Sequence, residues 1–338
     1  MPAAQNDVGG KFLDGSDLAS REDEILNDAS KKLNFSPQTL VGRSHWWGSQ
    51  EIGAFHYQGL YQGKPAILKI QGVKPTSSEI FMIQSFVKAN QSKIVRPPYL
   101  YAYLEWDDQV RYEALVLEYI DGKRIVNLPT NPNEVSRFFA AYAEYRNNCL
   151  SYPWITKPEE TISAKIKSVF ERWSEISKKI YPDHPLRKDS DYALIAQAVE
   201  TLSKHYKNVD LEFVHGHLSD GDLYQVGKQV VILSNLYWSW RPPFYDSIFA
   251  YHWYRYHLND LIGTTPNVIK KQKKIWLDRI FLLPKDEHGE KLLKLALLER
   301  ATAGLNLDAL SAKSDNPITA YLIDDTRREL EGLLQDLC

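Results

Sequence analysis

The spacing of apolar residues changes character several times along the chain. Between Leu18 and Leu33 the residues Ile25, Leu26, Ala29 and Leu33 share one face of a 3.6-residue period, which predicts a helix. From about Thr39 short runs replace it: TLVGR, AFHYQGLY and PAILKI read as strands, with Gln62-Gly63-Lys64 as the hairpin turn between the last two. SSEIFMIQSFVKAN predicts a helix with Ser77 or Ser78 as its cap and Glu79 in its first turn. The strands PYLYAYLEW and YEALVLEYI follow, the second running into Asp121-Gly122. Helical periods then cover Asn133 to Leu150, Thr161 to Ile180 and Ser190 to Tyr206, with Pro153, Pro158, Pro182 and Pro185 marking the breaks.

Between Leu211 and Ser234 an apolar run ends in a tight polar loop, and a Gly227-Lys228 turn then separates two runs that read as a β-hairpin. A long helix is expected from about Tyr245. Its Tyr251, Trp253, Tyr254 and Tyr256 form an aromatic stripe whose helical spacing favours core packing over a cofactor box. Two last helices are expected over Lys291 to Leu305 and Ile318 to Leu337. The chain shows no repeat and no low-complexity tract.

Composition narrows the class. The 338 residues are 43% hydrophobic and include nine Trp, enough for one large domain or two ordinary ones with a sizeable core. A formal net charge of −2 gives no overall bias toward nucleic acid or an anionic membrane. Cys149 and Cys338 belong to no C-x-x-C pair, which argues against a disulfide scaffold or a cysteine zinc site. The polar start MPAAQNDVGGKFLDGSD lacks the basic-then-apolar order of a signal peptide, and no run has the length of a membrane span. These features lead us to expect a soluble cytoplasmic protein with no nucleic-acid or membrane partner.

The order His215-Gly216-x-Leu218-x-x-Gly221-x-Leu223 resembles the catalytic loop of the aminoglycoside phosphotransferase and choline kinase branch of the protein kinase superfamily. LVLEYIDG resembles the hinge of that branch, and Tyr245-Asp246-Ser247-Ile248 its Tyr-Asp helix start, in which the Asp caps the helix and braces the loop. The resemblance runs from about residue 39 to 305. It implies an α+β, two-lobed kinase-like fold with an antiparallel-sheet N-lobe over 35–120 and a mainly helical C-lobe over 121–338. The catalytic-loop region would be 211–247, and residues 1–34 would be an extension carrying one helix. It also implies that Lys69 grips nucleotide phosphates, that Glu79 orients it, and that backbone groups of Glu118, Tyr119 and Ile120 meet an adenine. The segment Gly48 to Gly53 stands where the glycine-rich phosphate loop belongs, with only two glycines.

Three positions depart from the branch. The loop reads His-Gly-Asp there and places an Asn five residues after the Asp; here these are His217 and Asp222. The metal-holding Asp at the end of the hairpin is Ser234. Phosphoryl transfer needs a group that orients and deprotonates the acceptor hydroxyl and carboxylates that hold the metal ions. An imidazole accepts a proton but lacks a standing negative charge, and a hydroxyl is a weak magnesium ligand. The expectation is a pseudokinase that still takes ATP or another nucleotide, a small molecule or a protein partner, with magnesium held weakly. The alternative is an active ATP-dependent small-molecule phosphotransferase whose metal site is rebuilt from Asp220 and Asp222, although Asp220 also fits an Asx turn. A remote alternative reads His215, His217 and the following carboxylates as a zinc hydrolase site. Its Asp falls one residue late for that motif and no His follows it.

Overall fold

The computed structural model describes residues 18–45, 52–74, 77–311 and 315–337. The start of the chain as far as residue 17, and most of the expected glycine-poor loop, lie outside these residues. The chain divides into two compact units. The first takes the chain through Lys123 together with Tyr224–Tyr237, and the second takes Arg124–Leu223 and Trp238 onward.

The first unit is built on an antiparallel sheet of five strands in the order β1-β2-β3-β6-β5. These are β1 (Phe35–His45), β2 (Ile52–Tyr61), β3 (Lys64–Gln71), β5 (Leu100–Asp107) and β6 (Tyr112–Glu118). Gln62 and Gly63 join β2 to β3 as a two-residue turn with both φ angles positive, the geometry whose twist matches the flanking strands. Strand alternation assigns the two faces. Phe55, Tyr57, Leu68, Ile70, Ala114 and Val116 form one core with Ile25, Ala29 and Leu33 of helix α1 (Glu22–Leu33). Leu115, from the other face, packs with Ile80 and Ile83 of α2 (Glu79–Ala89). Ser78 caps α2, its Oγ accepting from the Phe81 N–H.

Helix α1 is therefore an integral layer of this unit. Tyr112 donates to Asp28, and Arg21 donates to the carbonyls of Val110 and Arg111. The hairpin of β9 (Leu223–Val226) and β10 (Gln229–Ile232) groups with this unit because β10 pairs in parallel with the short strand β4 (Val95–Arg96). Linear order does not display that regrouping.

The second unit begins at the two-residue strand β7 (Lys123–Arg124), where the division falls. It contains α3 (Pro132–Ser151), α4 (Ile162–Ile180), α5 (Asp189–His205), α6 (Tyr245–Tyr256), α7 (Pro266–Ile280), α8 (Glu287–Asn306) and α9 (Pro317–Leu337). A two-stranded sheet of β8 (Glu212–Val214) and β11 (Ser239–Arg241) completes it. Its main core joins Phe170 and Trp173 of α4, Ile195 and Leu202 of α5, Leu295 and Leu298 of α8, and Leu322 and Leu330 of α9.

Every residue of α6 except Trp253 is buried, so the aromatic stripe belongs to the core. Its charged groups are paired there. Arg255 reaches Glu329 at 2.5 Å, and Lys273 of α7 meets the same carboxylate at 3.2 Å. No described helix is long and apolar enough to cross a membrane.

If α1 is a structural layer, truncating its buried face destabilises the fold. Ile25→Ala is expected to cost about 2–4 kcal/mol by urea denaturation. A change below about 0.5 kcal/mol would mean that the helix is only loosely held.

Candidate functional site

The polar face of the first sheet gathers one group of ionisable side chains. Lys69 on β3 stands opposite His56 on β2, and Gln71 stands opposite Glu113 on β6. Because residues two apart share a face, all four project toward the side that carries α2. There the Lys69 ammonium donates to Glu79 Oε2 at 2.5 Å, with the lysine side chain 14% exposed and the glutamate 4%. The Lys–Glu pair expected from the sequence is thus assembled. Removing one partner from so buried a pair would leave a lone charge and cost about 3–5 kcal/mol.

Sequence reasoning missed the surroundings of that pair. Burial first, then the Glu79 charge, pushes the Glu113 carboxyl up to about 7, while Lys69 acts in the opposite sense. Burial and then Lys69 push the His56 imidazole down to about 4. Gln71 Nε2 and Glu113 Oε1 are buried with no hydrogen-bond partner among the described residues. The signal was present in PAILKIQ, where Lys69 and Gln71 take alternate positions of an otherwise apolar strand, and in YEALVLEY, where Glu113 stands before an apolar run.

Past the sheet, the Glu118 N–H bonds the Tyr99 carbonyl and the Glu118 carboxylate takes both guanidinium nitrogens of Arg96 at 2.5 and 2.8 Å. Tyr119 and Ile120 lie beyond the last residue of β6, with Tyr119 exposed. Of the three expected hinge residues, Glu118 has its amide engaged in sheet pairing. Ser234, also in this unit, adopts a left-handed conformation with φ of 58°, uncommon for a non-glycine residue.

In the second unit the loop after β8 is held by a single buried carboxylate. Asp246 accepts from the N–H groups of His215 at 3.0 Å and Gly216 at 2.8 Å, and from the Tyr145 hydroxyl of α3. Gly216 has φ of +81°, which glycine adopts without steric cost. His215 is fully buried with its ring edge-on to Trp238 at 5.0 Å, which makes it part of the frame. Asp246 braces the loop as expected, but its side chain does not cap α6. Phe244 occupies that cap in a left-handed conformation and has no side-chain cap bond.

The loop carboxylates point inward. Asp222, buried, takes the Ser219 N–H at 2.6 Å, the Ser219 hydroxyl at 2.7 Å and His217 Nδ1 at 3.3 Å, all on Oδ2. Burial opposes its ionisation, but His217, His215 and Ser219 outweigh that and hold its pKa at about 2. An ionised acceptor puts the His217 proton on Nδ1. Asp220 reaches His257 Nδ1 at 2.5 Å and Arg124 at 3.3 Å. Among the described residues no group of three or more His, Cys, Asp or Glu side chains is placed to hold a metal ion. His215 and His217 are accordingly not joined by a third such side chain, as a zinc site would need.

No protein-family model matches the sequence, and no curated protein matches it. Solved structures do. Amicoumacin kinase hAmiN superposes with a TM-score of 0.58 at 13% identity, covering 93% of this chain and 95% of that one. A thermostable mutant of aminoglycoside phosphotransferase APH(4)-Ia gives 0.56 at 12% identity, covering 91% and 97%. Choline kinase from Cryptosporidium parvum gives 0.53 at 12% identity, covering 99% and 94%. The fold is that of the aminoglycoside phosphotransferase and choline kinase branch. This kinase-like fold, an antiparallel sheet followed by a mainly helical part, is the one expected from the sequence.

Titration of the two groups beside Lys69 gives opposite slopes. His56 binds its proton more weakly when folded, so it stabilises the fold as pH rises from about 4 to 6.5. Glu113 binds its proton more strongly when folded, so it reduces stability as pH rises from 4.5 to about 7. The slopes oppose each other between 4.5 and 6.5. Glu113→Gln should expose a rise in stability across that window of at most about 3 kcal/mol, and His56→Gln a fall of similar size. Denaturant midpoints measured against pH check this, and parallel profiles for both variants would contradict it.

Proposed function

We propose that this is a kinase-like protein that binds a nucleotide or a related phosphate-bearing ligand and has lost ordinary metal-assisted phosphotransfer. The observation that carries this reading is the Lys69–Glu79 pair, a buried ammonium fixed at 2.5 Å on the sheet of the first unit. A lysine so held presents a localised positive charge suited to phosphate oxygens. Gln71 Nε2, a buried donor without a partner among the described residues, lies on the same face. Solved structures of the same fold hold ADP with hygromycin B, or AMP-PNP with Ca2+ and amicoumacin, which supports a nucleotide as the ligand.

The loss of ordinary transfer rests on the second unit. His217 stands where the resemblance places a carboxylate base, and the Asp222 carboxylate is directed at His217 and Ser219. Asp220 is held by His257 and Arg124, which weakens the alternative of an active enzyme using Asp220 and Asp222. A phosphotransferase lacking both the base and a metal carboxylate loses several orders of magnitude in rate, because these groups act as a unit. The remaining role is recognition, either of a small molecule beside the nucleotide or of a protein partner that reads the nucleotide-bound state.

ADP and ATP are expected to raise Tm, and the rise should vanish in Lys69→Ala. That variant also orphans Glu79, so the readout is the ligand-induced shift in each protein, with Glu79→Gln as a second variant that keeps the lysine. Steady-state ATP consumption across hydroxyl-bearing acceptors should stay at background. Turnover that falls in Asp222→Asn would overturn the reading in favour of an active phosphotransferase.

A further inference from the structure

On the polar face of the first sheet the described residues bring one ammonium together with two carboxyl groups. Lys69 of β3 is committed to Glu79 of α2 at 2.5 Å. Glu113 of β6 stands opposite Gln71, in the diagonal position from Lys69, where strand residues are about 7–8 Å apart and long side chains still interact. Glu113 and Gln71 are both 1% exposed. Glu113 Oε1 and Gln71 Nε2 have no hydrogen-bond partner among the described residues.

The other titratable neighbours bring no positive charge to Glu113. His56 of β2, opposite Lys69, is neutral above about pH 4, because burial and then Lys69 push its imidazole down. Glu105 of β5, which is exposed, adds a small negative field. A second buried carboxylate beside an ammonium that already has its counter-charge is unfavourable to ionise. Burial first, then Glu79, accordingly push the Glu113 carboxyl up to about 7, with Lys69 opposing them. When Glu113 is protonated, the charges of the Lys69–Glu79 pair cancel, and a phosphate meets a balanced cluster. When Glu113 is ionised, the face carries one excess negative charge that repels the same phosphate. An anion at Lys69 conversely makes Glu113 harder to ionise, and these are one coupling seen from its two ends.

We infer that Glu113 is an affinity-determining residue of the Lys69 site, which takes up a proton with an anionic phosphate ligand and disfavours that ligand once Glu113 ionises. The inference rests on the reading of Lys69 as a phosphate-binding lysine. Glu113 acts through the field at Lys69, so it positions charge and does not itself hold the ligand. The sign follows from the order of the two ionisations. The carboxyl titrates at about 7 in the free protein and higher in the complex, so affinity is greatest below pH 7. It falls as pH rises through 7 and levels off once the complex has also lost the proton.

ADP, titrated calorimetrically without magnesium between about pH 6 and 9, is the probe. Its terminal phosphate also ionises at the acidic end of that range, at about pH 6. The affinity of the unmodified protein is therefore divided at each pH by that of Glu113→Gln, a neutral isostere, and the titration of the ligand cancels. The ratio is expected to fall about tenfold from pH 6 to 9, the change that accompanies a rise of about one unit in the Glu113 pKa on binding. A second readout needs no variant. At about pH 8, where ADP is fully ionised, binding heats in buffers of different ionisation enthalpy should show uptake of about half a proton per ADP. A ratio that stays constant or rises with pH, or binding without proton uptake at pH 8, overturns the inference and leaves nucleotide binding in place. ADP that binds neither protein at any pH overturns the nucleotide reading and the inference with it.

Discussion

Asp246 is the group on which the arrangement of the second unit turns. A carboxylate buried to 0% exposure is tolerable only when donors surround it, and Asp246 receives two backbone N–H groups from the loop and a hydroxyl from α3. It thereby fixes where His215 and Gly216 stand relative to α6 and α3. The aromatic wall around them follows, with Phe213, His215 and Trp154 all against Trp238. The frame is held by buried hydrogen bonds and ring packing that do not depend on which side chains the loop presents.

What the frame presents is a self-satisfied loop. An active enzyme would need Asp220 and Asp222 to be available to a metal ion. Asp222 instead completes a turn through Ser219 and fixes the proton of His217, while Asp220 pairs with His257 and Arg124. In the first unit the situation is reversed. Lys69 and Glu79 keep a buried ion pair, and beside it lie polar atoms of Gln71 and Glu113 that nothing in the described protein satisfies. Burying a polar group without a partner is unfavourable, and two such atoms on one face make that face the candidate for ligand recognition.

Much of this was legible in the sequence, for identifiable reasons. Strand alternation in PAILKI and YEALVLEY, and the helical period in α3 to α5, report which residues face a core, and burial enforces that pattern strongly. The loop frame was legible because Gly216 and Asp246 serve backbone geometry that few other residues can serve. Helix α7 was not seen: its buried residues are only Ile269, Gln272, Trp276 and Ile280, diluted by four lysines between 270 and 274. Strand β1 begins at Phe35, earlier than its pattern suggests, because register shifts beside Pro37 and Leu40 disturb the alternation. The amphipathic face of α1 was visible, but not the sheet face that covers it. The orientation of Asp220 and Asp222 could not be read, since the same two residues could equally have faced outward.

The central claim is that phosphate recognition has been separated from metal-assisted chemistry. Its most direct test is the affinity for ADP, measured by calorimetry with and without magnesium. The account predicts binding that depends on Lys69 and changes by no more than about threefold when magnesium is removed. Binding that tightens more than about tenfold with magnesium, and loses that gain in Asp222→Asn, would contradict it.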